Sequence, residues 1–424
     1  MKRLLLLSLL SVALVRAAGL SVTLEEARDI ALRNHPNLAS AQLAASVAEE
    51  QVKEARAGFF PVATGFVNGV EAGDRDTRIE AGGLNNPAIY DRVAEGVSVT
   101  AVITDFGRTG NLTSGAKSRA RAEHAGYEST REQVLLGVDT AYYGVLQAKA
   151  VMKVAQDTLG VRTLLASQVS TLAKNAMKSD LDVSFAEVAK NEAELLLEKA
   201  QGDEASAEAM LSAAMGYPTP QEFDLPEPDS TPITVPALAD LSASALRTRP
   251  DLLRYRYERD ASRSAAQAEK DANYPTLSAV GVAGTSPSHD YRLPNSYEAG
   301  GLQLSIPLFA GGAYVARQHE AELKAHIAEE QLRQEEDLVT RDVKLAWIAA
   351  STSIRRLEIS RQLLTNSSRA FELAQARYKV GSSSIIELSD AQLAETTAKI
   401  EVANAEYAAL IQESVLRYVA GIAG

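Results

Sequence analysis

The chain has 424 residues, 5% of them aromatic, no cysteine and a formal charge of −12. That length allows two or three ordinary domains, but few aromatics and abundant alanine favour long helices over compact layered cores. The lack of cysteine excludes disulfides, thiolate metal sites, a cysteine nucleophile and a lipidated N-terminal cysteine, and an acidic chain without a basic stripe is a poor nucleic-acid binder.

Lys2 and Arg3 precede an apolar run from Leu4 to Val15, and Val15-Arg16-Ala17 fits a cleavage site, so residues 1–17 are expected to be a signal peptide. Removing them leaves 40 basic against 55 acidic residues, a charge of −15. The run is shorter than the roughly 20 apolar residues of a spanning helix. No later segment is long and apolar enough either, so any membrane crossing must use strands.

Thr23 to Ala57 has helical patterning, and strands are expected near 59–70 and 96–106. From Ala88 to Tyr217 there is no proline, which gives a long helix, a turn near Ser179 and a second helix from Leu181 to Met215. The same order then returns. Leu32-Arg33-Asn34-His35-Pro36-Asn37-Leu38 recurs as Leu246-Arg247-Thr248-Arg249-Pro250-Asp251-Leu252 at an offset of 214, and Phe60-Pro61 as Tyr274-Pro275. Past the next loop the offset is 205, matching Asp182-Val183 to Glu387-Leu388, so the first copy holds nine extra residues around Gly73 to Arg92. The chain is therefore internally duplicated, with a first repeat over 18–215, a proline-rich linker over 216–237 and a second repeat over 238–424.

In the second repeat a helix is expected over Leu238 to Ala272, strands near 274–284 and 301–309, a long helix from Ala313 and a final helix over Ile385 to Val419. Ala313 to Val380 contains neither proline nor glycine, and its 68 residues would make a helix of roughly 100 Å. A seven-residue column runs along it through Val343, Ala350, Leu357, Leu364, Phe371 and Tyr378, and the first repeat carries Val138, Val145, Met152, Leu159, Ala166 and Ala173. Such a repeat predicts supercoiled helices. Arg361, Ser368 and Gln375 at the intermediate positions are polar, which points to a narrow seam.

The strands alternate. Leu302, Leu304, Ile306 and Leu308 share one face, as do Val97, Val99, Ala101 and Ile103, while Ser98, Thr100, Gln303 and Ser305 supply a small, neutral opposite face with no chelating or aromatic cage. This fits apolar-out, polar-in barrel strands, although a water-soluble hairpin alternates too. Four strands cannot close a barrel, since about eight are needed. If the chain spans a membrane it must oligomerise, and three copies would supply twelve strands.

These features resemble the TolC-type outer-membrane efflux protein family over essentially the whole mature chain. The likeness is carried by Leu24-Glu25-Glu26-Ala27, Ala31-Leu32-Arg33-Asn34-His35-Pro36, Asp105-Phe106-Gly107-Arg108, Ile306 to Gly312, Ala376 to Gly381 and Glu387 to Gln392. The resemblance implies a mainly α homotrimer with a twelve-stranded membrane β-barrel in the outer membrane, four strands per chain, continuous with a long α-helical coiled-coil barrel in the periplasm. It also implies a passive conduit in a tripartite efflux pump or type I secretion system, docked through its hairpin tips to a periplasmic adaptor and so coupled to an inner-membrane pump or ABC transporter. The matching tip positions are Arg377, Val380, Gly381 and Ser382 in one copy and Lys174 and Ala176 in the other. Asp180, Asp182, Glu387 and Asp390 surround the turns, so an electronegative periplasmic entrance is expected, though acids are favoured in any first helical turn. Ala176 stands where the other copy has Gly381, so the two tips should dock unequally.

No catalytic residue, cofactor site or metal site is expected. His319 and His326 share a helix face but lie two turns, roughly 10 Å, apart, too far for one zinc ion without a third element. A secreted coiled-coil scaffold would share the leader and heptads, but has no use for four alternating strands at matched places in a repeat.

Overall fold

The computed structural model describes residues 20–71, 90–228 and 234–422. The leader, most of the longer first-copy loop and part of the linker fall outside them. In order the elements are β1 (Leu20–Ser21), α1 (Leu24–Asn34), α2 (Pro36–Ala57), β2 (Val62–Val70), β3 (Arg92–Thr104), α3 (Arg108–Lys174) and α4 (Asp180–Ala214), then β4 (Phe223–Asp224), α5 (Leu238–Thr248), α6 (Pro250–Asp271), β5 (Thr276–His289), β6 (Ser296–Ser305), α7 (Ala313–Lys379) and α8 (Ile385–Val419).

The helix expected from Thr23 to Ala57 is two helices, broken at His35, and that expected from Leu238 to Ala272 is broken at Arg249. Each break precedes a proline, whose ring pushes the residue before it into extended backbone. His35 accordingly has ψ 121° and Arg249 ψ 124°. Proline also trims the strands, since it cannot donate to the ladder. Phe59 and Phe60 lie before Pro61 and outside β2, and Ile306 to Phe309 flank Pro307 and lie outside β6.

The duplication is written into the backbone. Eight described residues have positive φ, and they form four pairs at the offset of 205: Phe106 with Gly311, Gly107 with Gly312, Ala176 with Gly381, and Gly216 with Gly421. In two pairs the first copy keeps a side chain in a left-handed conformation that costs an L-residue roughly 1–2 kcal/mol. Phe106 and Ala176 both sit at φ 55°.

The chain divides into two compact units, one of residues 1–39, 130–247 and 340–424, the other of 40–129 and 248–339, so each draws on both repeats. In the first, Val22, Ala27, Ala31, Val138, Tyr142, Leu211, Met215 and Phe223 form a buried cluster with Tyr407. The parallel pair β1 and β4 brings the linker against it. At its rim Arg28 grips Asp139 through two parallel bonds, Nε to Oδ1 at 2.7 Å and a terminal nitrogen to Oδ2 at 2.6 Å. The Asp139 side chain is only 7% exposed. Arg28→Ala would strand that carboxylate in the core and is expected to cost about 3 kcal/mol. The loss should be read as a lowered thermal midpoint, with Arg28→Lys recovering part of it because an ammonium cannot make both bonds in one plane.

The seam along the long helices has a second buried column that the sequence reading misplaced. Val343, Ala350 and Tyr378 are buried as expected, but their partners stand three residues on rather than four: Ala346, Ser360, Ser367 and Ala374 are buried. Arg361 lies exposed instead. Heptads alternate spacings of three and four, and the Ser360 and Ser367 knobs were invisible to a search for apolar residues. In the first repeat this column holds Ala155, Arg162 and Val169. Arg162 donates to the Ala189 carbonyl at 2.9 Å from within the seam.

In the second unit the strands form one antiparallel sheet ordered β2-β3-β5-β6. Its edges are β2 and β6.

Candidate functional site

Both hairpin tips are built alike. The Met177 amide reaches back to the Leu172 carbonyl at 2.9 Å, and the Ser382 amide to the Arg377 carbonyl at 2.9 Å, closing the helix ends around left-handed Ala176 and Gly381. Serine then starts each following helix. Ser179 Oγ accepts from the Asp182 amide at 3.2 Å while the Ser179 amide donates to Asp182 Oδ2 at 3.0 Å, a full capping box. Ser384 Oγ accepts from the Glu387 amide at 3.1 Å.

Behind the tips, Ala166, Val169, Ala186, Ala374, Tyr378, Ile385 and Leu388 form a single buried cluster, which brings the two hairpins together. The expected tip residues Lys174, Ala176, Arg377, Val380, Gly381 and Ser382 are all exposed, Val380 at 78%. Arg377 is committed locally, 3.1 Å from Glu387 Oε1 and 3.4 Å from the Ser382 carbonyl. Asp180, Glu387 and Asp390 are exposed and Asp182 half-buried. The Ser179 amide and hydroxyl hold the Asp182 carboxyl below its usual range. Glu387 is offset by Arg377, which leaves Asp180, Asp182 and Asp390 as the other acids at the turns.

One tip contact escaped the sequence reading. The Lys178 ammonium lies 4.2 Å from the Tyr378 ring centroid, joining the turn of one repeat to the long helix of the other. Only the fold places these two distant residues together, and the heptad position of Tyr378 marked it merely as core.

The sheet register fixes its two faces. Val99 pairs with Ala63 and Gly281, Ala101 with Ala279, and Leu302 and Leu304 with Ala279 and Leu277, giving one apolar face. Val67 and Leu302 on it are 73% and 69% exposed. Thr64, Ser98 and Val282 share the other face with Ser278 and Gln303. That face is not purely small and neutral as expected. One row across the sheet reads Phe66, Gly96, Gly284, Tyr297, an aromatic at each edge over a glycine floor. The Tyr297 hydroxyl crosses both glycines to donate to the Glu95 carbonyl at 3.2 Å. Phe66 lies in a Gly- and Ala-rich strand that alternates poorly, and Tyr297 lies before the expected start of its strand near 301, so no sequence signal put them there.

Among the described residues no helix is long and apolar enough to cross a membrane. His319 sits 3.5 Å from Glu322 and His326 3.3 Å from Glu329, each histidine with its own carboxylate on the surface.

Residues 27–217 and 241–421 match the outer membrane efflux protein family. Outer membrane protein TolC of Salmonella enteritidis is 23% identical over 409 residues, covering 92% of this chain and 79% of that protein. The solvent efflux pump outer membrane protein SrpC of Pseudomonas putida is 27% identical over 306 residues, covering 69% of this chain and 63% of SrpC. Among solved structures, CusC superposes with a TM-score of 0.82 at 18% identity, covering 95% of this chain and 93% of that one. The outer-membrane channel OprN superposes at 0.81 and 19% identity, covering 95% and 90%.

Proposed function

The chain belongs to the outer membrane efflux protein family, and on that premise we propose that three copies close their sheets into one twelve-stranded barrel that passes substrates out of the cell as a passive conduit. The observation that carries this is the open sheet. Four strands with free edges β2 and β6 present an apolar face to the surroundings. In lipid, unpaired edge groups cost several kcal/mol each, roughly, so further copies must complete the ladder.

The tips then face the periplasm, where a periplasmic adaptor docks and couples the channel to an inner-membrane pump or ABC transporter. Energy comes from that partner. Thr64, Ser98, Thr100, Ser278, Gln303 and Ser305 make the helix-proximal part of the pore face small and uncharged, with the Phe66 and Tyr297 row and Arg92 nearer the loops, and from that uncharged stretch we infer that substrate choice rests with the partners.

The mature charge of −15 per chain becomes −45 in a trimer, and a cleft with low-dielectric walls concentrates the field of Asp180, Asp182 and Asp390. Purified protein in planar bilayers should run as a heat-modifiable trimer and conduct with cation preference. That preference should fade as the Debye length drops from about 10 Å at 0.1 M salt to about 3 Å at 1 M. Soluble monomers without conductance would overturn the channel reading, and an anion-selective pore would overturn the entrance field alone.

A further inference from the structure

The two repeats cover the segment before their first helix differently. In the first, β1 runs parallel to the linker strand β4, with Leu20 opposite Phe223, Ser21 opposite Asp224 and the Val22 amide donating to the Asp224 carbonyl at 3.1 Å. Phe223 is 2% exposed and Leu225 7%, so the linker is held by alternate apolar side chains turned into the core. Helices α3 and α4 fix its backbone. Lys149 Nζ donates to the Phe223 carbonyl, Ser212 Oγ accepts from the Gln221 amide at 2.9 Å, and the Tyr217 ring stands 6.4 Å from that of Phe223. The Tyr142 hydroxyl lies 3.3 Å from the Val22 carbonyl and 3.4 Å from that of Pro226.

The second repeat builds the same seat. Thr234, Val235 and Pro236 match Leu20, Ser21 and Val22 at the offset of 214, and Trp347 matches Tyr142 at the offset of 205. Trp347 Nε1 donates to the Pro236 carbonyl at 3.0 Å, the counterpart of the Tyr142 bond to Val22. The Ile422 amide closes α8 onto the Arg417 carbonyl at 3.0 Å, as the Tyr217 amide closes α4 onto Ser212 at 2.9 Å. The cover differs. Thr234 and Val235 pair with no strand among the described residues, Thr234 is exposed, and Ile422, in the place of Tyr217, is 44% exposed. Ile354 replaces Lys149, which makes this seat more apolar than its counterpart.

We propose that this seat takes an extended segment of another polypeptide, one that presents a bulky apolar side chain to Trp347, Ile354 and Ile422 where Phe223 stands in the first repeat. The filled form of the site is present in the same chain. An added extended segment draws affinity from its backbone bonds and specificity from alternate side chains. Pro236 lacks the amide that Val22 contributes, which removes one ladder bond and puts more of the binding on the apolar side chain. Trp347 lies roughly 50 Å up α7 from its tip, so this contact is distinct from docking at the tips. It stands whether or not the sheets close into a barrel.

Trp347 is the one tryptophan of the chain and cysteine is absent, so the site carries its own fluorophore and accepts a single engineered thiol. The probe is a peptide with the sequence of residues 219–227, the segment that fills the first seat. Added to the purified protein in lipid vesicles, it should shift Trp347 emission to the blue saturably, and the peptide with the Phe223→Ser change should not. Val235 stands where Ser21 pairs with Asp224, so Val235→Cys and a peptide with the Asp224→Cys change should form a disulfide adduct in glutathione buffer. That adduct, read by mass, decides the matter where binding is too weak to shift emission. Adding Phe223→Ser to the thiol peptide should lower the yield to that of Leu195→Cys, an exposed position on α4. Ile354→Glu should abolish both responses and leave the trimer band in place. Equal adduct from the phenylalanine and serine peptides would overturn the site, and so would responses that survive Ile354→Glu. Blue emission before any peptide is added, with no adduct, would overturn it in favour of a neighbouring copy covering the seat.

Discussion

Gly284→Val is expected to remove the trimer from the membrane. A Cβ built on Gly284 would lie 2.2 Å from the Glu95 carbonyl oxygen and 2.4 Å from the Tyr297 hydroxyl. The tyrosine can swing away, but the carbonyl belongs to the backbone of the neighbouring strand. Relief therefore requires β3 and β5 to part at the row where they pair Gly96 with Gly284. Those strands form the centre of the sheet, and parting them in lipid exposes groups with no water to bond. Gly301→Ala is the matched control, since a Cβ there meets nothing within 4 Å. The heat-modifiable trimer band on unboiled gels should vanish for Gly284→Val and persist for Gly301→Ala. Equal bands for the two would show that the sheet tolerates a side chain at Gly284.

Gly381→Phe is expected to abolish efflux while leaving trimer abundance unchanged. A glycine at φ 75° has two readings, an obligatory helix stop or a bare surface for a partner. The space around it favours the second, because a Cβ at Gly381 meets nothing within 4 Å. Conformation alone does not forbid a side chain, since Ala176 holds the equivalent turn at φ 55°. The strain is roughly 1–2 kcal/mol, small beside the packing of the hairpin core behind it. A docking adaptor would meet the ring directly. Efflux measured as dye retention in cells, beside trimer quantified in the outer membrane, separates the readings. Unchanged efflux removes Gly381 from the interface, and loss of the trimer makes it a helix stop.

The duplication was legible because it needs only matched words such as Asn34-His35-Pro36 and Thr248-Arg249-Pro250, and the long helices because proline and glycine are missing from them. The helix break at each of those prolines was equally legible in principle, but helical periodicity on both sides masked it. The seam was half legible. Its apolar column stood out, whereas Ser360 and Ser367 became core only through the close approach of neighbouring helices. The turns near Ser179 and Gly381 could be placed from the sequence, and the tip positions from the resemblance, yet the Lys178–Tyr378 contact joins segments 200 positions apart and depends on the fold. The row of Phe66 and Tyr297 was out of reach, because a strand's face is known only once its register with three others is fixed.

The paired left-handed joints carry a consequence for how this chain can change. α3 and α7 are both 67 residues long, and α4 and α8 both 35. Drift in side chains has been wide, but the lengths between the joints are the same in both copies, while the span from Pro61 to Ile103 is nine residues longer than its counterpart from Pro275 to Leu308. One residue inserted into a single long helix would rotate everything beyond it by about 100° and raise one tip about 1.5 Å over the other. The two hairpins of a chain thus keep a matched reach. Their lengths are a shared inheritance that neither copy can revise alone, and lasting change in reach must come to both together, in whole heptads.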